Sequence, residues 1–244
     1  MSENDNEVTN PIQACNDVFT RPSEVFKALS LKDNWSWVPF FLVVVISALP
    51  AYLYFGVVDY EWYIDTQLAL SMPDASPAEL ENMRPAYGTG KSAAWFALVG
   101  APLYLIVVSA LLGMYFTLVT RNDDKSIHSF FDWYGAQWWF MMPTLIASVI
   151  SLLLILTTIE PGAKASQSVL SPTALSYIFS IEPSNKWFNF MSYLRIETIW
   201  SVYLGAVCLQ QWTNFSRKKS IIFAAIPTVI ILSLALIWTI SQLD

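Results

Sequence analysis

The chain has 244 residues, 55% of them hydrophobic and 13% charged, with a formal net charge of −6 and a mean hydropathy of +0.45. A soluble domain carries about 25% charged residues, and a nucleic-acid binder needs a basic patch, so the totals argue against both classes. Cys15 lies in the N-terminal segment and Cys208 within an apolar stretch, which argues against a disulfide and gives no metal-ligand spacing.

In chain order, residues 1–10 are polar and acidic and read as a disordered tail. They lack the basic region and apolar run of a signal peptide. Residues 11–244 read as one membrane domain. Residues 11–31 predict two short helical pieces, with Pro22 at a first turn and Val25, Phe26 and Leu29 on one apolar face. So small a face is expected to pack under the bundle as a lid. The alternative is an interfacial helix that binds lipid or a partner, with Lys27 and Lys32 among headgroups. On that alternative Phe19, Pro22, Phe26 and Leu29 form a candidate cytoplasmic interaction segment.

Five long apolar spans without an ionised side chain follow, at 37–58, 93–119, 133–159, 199–215 and 220–240. A helix needs about 20 apolar residues to cross a hydrocarbon core. In that core only helices and closed barrels satisfy their own backbone groups. The predicted fold class is therefore all-α: a polytopic membrane protein of five transmembrane helices in one bundle, with short interfacial helices. Ion-coupled carriers and proton relays keep ionisable residues inside the membrane, and these spans hold none at mid-depth.

The loop 59–92 carries six carboxylates against Arg84 and Lys91 and reads as a solvated face. Within it Ser76-Pro77-Ala78-Glu79 predicts a capped helix start. Residues 126–131 should lead a helix into the third span. His128, the single histidine of the chain, is expected to be solvated there. Ser171-Pro172 predicts another helix start, and Ala174, Leu175, Ile178 and Phe179 a short helix on the outer membrane surface. Pro102, Pro143 and Pro227 are candidate kinks inside spans, beside Pro39 and Pro50 in the first. Small residues four apart, Ser109 with Gly113, Ala147 with Ser151 and Ser201 with Gly205, are candidate helix-packing positions. Whether they pack within one chain or between copies is open at this level.

No catalytic constellation is present. Metalloprotease helix, phosphate-binding glycine loop and nucleophile elbow are all absent, and no cofactor site is expected. Arg195 and Glu197 stand two apart and are expected to mark the outer boundary of the fourth span. Lys and Arg in short flanking segments set orientation. Eight fall on the side of the N-terminus and five on the other, which predicts a cytoplasmic N-terminus and an external C-terminus.

Several segments resemble the Yip family, five-span membrane proteins named for interaction with Ypt/Rab GTPases, and in particular its bacterial branch. They are Phe19-Thr-Arg-Pro22-Ser-Glu-Val-Phe26 before the first span, Ser126–Phe131 with Pro143 beyond it, Ile199-Trp200-Ser201 leading to Gly205, and Ser216-Arg217-Lys218-Lys219 followed by Pro227. The resemblance implies a five-helix bundle and a non-enzymatic protein of the bacterial inner membrane. The Asp-Leu-Tyr-Gly-Pro and Gly-Thr-Pro motifs of eukaryotic members are absent, so GTPase binding is not carried over. The expected partners are the lipid bilayer and other membrane proteins or a second copy, with no nucleic acid. The expected role is interaction, scaffolding or membrane organisation. The alternative is a transporter or channel for a small neutral or apolar solute, which requires Ser109, Thr144, Ser148, Ser151, Ser201 and Gln210 to converge on one cavity.

Overall fold

The computed structural model describes residues 8–242, and its described residues form an all-helical chain. The helices are α1 (Pro11–Asp17), α2 (Pro22–Leu29), α3 (Trp37–Val57), α4 (Tyr60–Ser71), α5 (Pro77–Met83), α6 (Gly90–Thr120), α7 (Phe130–Phe140), α8 (Met142–Thr158), α9 (Leu175–Ile178), α10 (Phe188–Tyr193), α11 (Ile196–Trp212) and α12 (Arg217–Ser241). Residues 1–7 of the expected acidic tail lie outside the described residues. Its last three residues are ordered, because Val8 is buried in the core and Asn10 Oδ1 accepts the Gln13 N–H at 2.9 Å to cap α1.

Local chemistry sets the helix starts. Pro11, Pro22 and Pro77 occupy first-turn positions of α1, α2 and α5, where a missing N–H leaves no bond unmade. Reciprocal capping boxes open three helices: Ser76 with Glu79 on α5, Thr89 with Ser92 on α6, and Ser129 with Asp132 on α7. Two of these, on α6 and α7, start a span three residues before the apolar run does. Ser216 Oγ accepts the Lys219 N–H and draws the basic triplet into the first turn of α12.

Four helical segments are long and apolar enough to cross a membrane: α3, α6, α7 with α8, and α12. The expected fourth span keeps its expected length but starts and ends three residues earlier, and it is short for a crossing. Helix α11 has 17 residues, about 25 Å at 1.5 Å per residue against a core of about 30 Å. It stops at Trp212 because the chain turns there, with the Asn214 N–H donating to Asp123 at 3.0 Å. Of the three candidate kinks, Pro143 coincides with an interruption. Helix α7 closes at Met141, and α8 begins with Pro143 in its first turn. Helices α6 and α12 run on through Pro102 and Pro227.

Helix α3 packs on α6 and α8, α6 on α7, and α11 on α2, α8 and α12. The large core cluster gathers at the end of the bundle that bears α1 and α2. A smaller one, around Tyr54, Val58, Ile155 and Val169, lies at the other end. There the segment 160–170 is tied down by Tyr54 Oη–H donating to the Ala165 carbonyl and Ser151 Oγ–H to the Val169 carbonyl, each at 2.8 Å. Helix α9 begins at Leu175 rather than at Ser171, because Ser171 closes a preceding 3-10 turn and Ala174 is held by a bridge to Arg195. Along α6, Phe96, Leu103, Tyr104, Val107, Leu111 and Leu118 face outward, and Ile230, Leu234 and Ile237 do so on α12. Exposed apolar residues standing singly are ordinary, but belts this continuous mark an apolar surrounding.

Candidate functional site at the N-terminal end of the bundle

Helix α7 reads Phe-Phe-Asp-Trp-Tyr-Gly-Ala-Gln-Trp-Trp-Phe, apolar nearly all round, and such a helix buries most of its faces. Trp133, Trp138 and Trp139 are each at most 1% exposed. Trp133 stacks on Phe116 of α6 at 5.4 Å, and Phe140 meets both Phe116 and Phe26 edge-on at 5.7 Å. Two indole donors then fasten the N-terminal segment to this wall. Trp212 Nε1–H donates to the Phe26 carbonyl at 2.8 Å, and Trp139 Nε1–H donates to Ser36 Oγ at 3.1 Å. Buried indoles ordinarily find such partners.

These bonds place the expected interaction segment. Pro22, Val25 and Phe26 are buried, and Phe19 packs edge-on against Trp200 of α11 at 5.8 Å. The apolar face of α2 is therefore covered within the chain, as a lid would be, and is not a free docking surface. Leu29 is the member of that set that remains at an open edge.

The open edge is a groove of about 650 Å³ between the α2–α3 linker, the start of α3 and the start of α7. Trp37, Phe40, Tyr134, Trp138 and Trp212 make its aromatic walls, and Lys32, Asp33, Asn34 and Asp132 supply its charged and polar groups. Asn34 turns the linker at φ +66°, a left-handed conformation that Asn tolerates better than most side chains. Gly135 lets the linker approach α7, since a Cβ there would lie 2.8 Å from Ser36 Oγ.

His128 belongs to the rear of this wall and is not a solvated loop residue. Its ring lies 4.0 Å from Trp212 with 4° between the planes, and both ring nitrogens are buried without a hydrogen-bond partner. Burial holds its pKa below the usual 6.5; Asp132 opposes that shift and Lys125 reinforces it. Cys15 of α1, half-buried, has its thiol pushed up to about 11 by burial, which keeps it protonated at neutral pH.

Five of the six small-residue positions, Ser109, Gly113, Ala147, Ser151 and Gly205, are buried within the chain. A Cβ on Gly113 would stand 3.0 Å from the Tyr134 Cα, so that glycine sets the α6–α7 approach, and Gly205 faces Ala224 across α11 and α12. Ser109 Oγ lies 3.8 Å from Met141 Sδ, and Ser151 bonds the 160–170 segment. Ala147 is buried and Ser201 half-buried. The polar set weighed for a transport path does not line the groove. Thr144 and Gln210 return their bonds to carbonyls of their own neighbourhood, at Met141 and Ala206. Sequence reasoning missed the groove and the His128 stack. The density of aromatic residues between Phe130 and Phe140 was the available signal.

Long apolar helices with outward apolar belts and a polar, aromatic end define an integral membrane protein of the all-helical, multi-pass kind. The model of the Yip1 domain matches residues 16–239. The chain belongs to that family. No curated protein and no solved structure matches it.

Proposed function

We propose that this is a non-enzymatic interaction protein that organises a bacterial inner membrane, with the N-terminal groove as its working surface. The observation that carries the reading is the groove itself. It is a preformed concavity of about 650 Å³, within the usual range for ligand sites, with its walls held by the Trp139–Ser36 and Trp212–Phe26 bonds. The scatter of Ser109, Thr144, Ser151 and Gln210 among separate partners favours this reading over a carrier or channel.

In the same proposal α11 is a fifth crossing and the N-terminus is cytoplasmic. Arg195 at its start pairs with Ala174, and Trp212 at its end packs against Phe26 and His128, so its two ends belong to opposite ends of the bundle. Neighbours shelter much of its surface, with Leu204 through Leu209 buried, so a length near 25 Å suffices. The eight Lys and Arg on the α2 side support a cytoplasmic location for that side.

The test is a photo-crosslinker at Phe131, exposed beside the groove, in native membranes. The proposal expects a discrete adduct from that position and not from Ile230 on the outer face of α12. Indistinguishable adduct patterns from the two positions would overturn the groove as working surface.

A further inference from the structure

We infer that the groove receives the headgroup of one zwitterionic phospholipid that carries a primary ammonium. The inference rests on reading the groove as the working surface and names its occupant. Location comes first. The groove lies at the starts of α3 and α7, where two candidate membrane spans begin, and so at headgroup depth. Trp37 at 56% exposure and Phe131 at 77% flank it towards the surrounding lipid.

Charge comes second. The groove presents two carboxylates, Asp33 and Asp132, and one ammonium, Lys32. Lys32 and Asp33 form no ion pair among the described residues. Asp132 Oδ2 accepts the Ser129 N–H at 2.7 Å and its Oγ–H at 2.8 Å, which leaves Oδ1 for another donor. A ligand that complements this set carries one anion for Lys32 and one cation for the carboxylates. A phosphate joined to an ammonium is that pair. Asn34 adds an amide donor for phosphate oxygen.

Aromatic faces come third. An ammonium is attracted to indole and phenyl faces within about 6 Å, and Trp37, Phe40 and Trp138 line the same space. The acyl chains of a lipid so held continue onto the exposed side chains of Phe41 and Val45, further along α3. A singly anionic headgroup without an amine fits poorly, because it would meet two carboxylates with one cation to receive it.

The experiment uses the full chain in mild detergent and native mass spectrometry with phosphatidylethanolamine and phosphatidylglycerol as probes. The expected result is one phosphatidylethanolamine retained in preference to phosphatidylglycerol. Asp33→Asn should weaken that retention about fivefold, the scale of one partly exposed charge pair, and Trp37→Ala should weaken it further. Both residues are exposed, and thermal melting of each variant checks that folding is unchanged. Equal retention of the two lipids, or unchanged retention in Asp33→Asn, overturns the inference. The Phe131 crosslink separates the two readings. A protein adduct there leaves the groove as the working surface and removes the lipid as its occupant. Failure of both the lipid preference and the position-specific crosslink removes both readings.

Discussion

At the scale of single residues, space and burial decide what each position tolerates. Gly113 and Gly56 are both helical glycines, yet they should respond oppositely to alanine. A Cβ at Gly113 would meet the backbone of Tyr134 at 3.0 and 3.1 Å, and backbone cannot rotate away. Gly113→Ala should therefore force α6 from α7 and cost about 1–3 kcal/mol. Gly56 has nothing within 4 Å of that point, so Gly56→Ala should gain about 0.5 kcal/mol from reduced freedom of the unfolded chain. Thermal melting of the two variants in detergent checks the sign of each. His128 gives a pH signature. Its folded pKa lies below that of the unfolded chain, so the unfolded state takes the proton first as pH falls. Stability should be complete above about pH 6.5, decline as pH drops from there towards the folded pKa, and then level off. His128→Phe keeps a ring on Trp212 and should flatten that part of the curve. Melting temperature followed from pH 8 to pH 5 in both proteins reads the difference.

At the scale of elements, the start of α5 was legible because capping is written in adjacent residues. Ser76 to Glu79 predicted α5, and the structure has the reciprocal box there. Helix α4 was not legible. Its residues Tyr60–Ser71 mix apolar and acidic side chains without a clear face, and its position is set from outside. Arg84, beyond α5, pairs with Glu61 at 2.6 Å, with Asp65, and with Glu81 at 3.1 Å. Such a clasp joins residues about twenty positions apart, which no local pattern encodes. Exposed pairs are individually worth little, but here three carboxylates share one guanidinium. Arg84→Gln should leave them to repel and raise hydrogen exchange across 60–87 by roughly fivefold, with the exchange of α6 and α7 unchanged. Uniformly raised exchange across the bundle would instead make the clasp a global support. The groove was illegible for a related reason. Its walls come from the 30–36 linker, α3, α7 and the last residue of α11, and the bonds that assemble them span 103 and 186 positions.

At the scale of the whole molecule, charge placement, helix length and tertiary pairing bear on one question, the number of crossings. Apolar length alone marks four segments, which would leave both termini on one side. The proposal of five rests on pairing. The segment 121–129 is joined to the turn after α11 by the Asn214 N–H to Asp123 and by Lys125 Nζ–H to the Thr213 carbonyl at 3.4 Å. Residues 163–170 and 174, in contrast, are joined to α3, α8 and the start of α11 at the opposite end. In the proposed five-span arrangement α11 covers the distance between the two groups, and a short helix can do so because protein, rather than lipid, covers much of its surface. The arrangement also gathers Arg217, Lys218 and Lys219 with the other Lys and Arg of the α2 side, where Lys219 sits 3.5 Å over the Phe215 ring. Single cysteines at Asn122, Ser184 and Asn214, in a background with Cys15→Ala and Cys208→Ala, leave every charge in place. A membrane-impermeant thiol reagent added to intact cells should label Ser184→Cys and spare the other two until the membrane is opened. Labelling of Ser184→Cys and Asn214→Cys from the same side would remove α11 as a crossing and return the molecule to four. Labelling of Asn122→Cys and Asn214→Cys from outside, with Ser184→Cys protected, would keep five crossings and invert them, so that the groove would face the exterior.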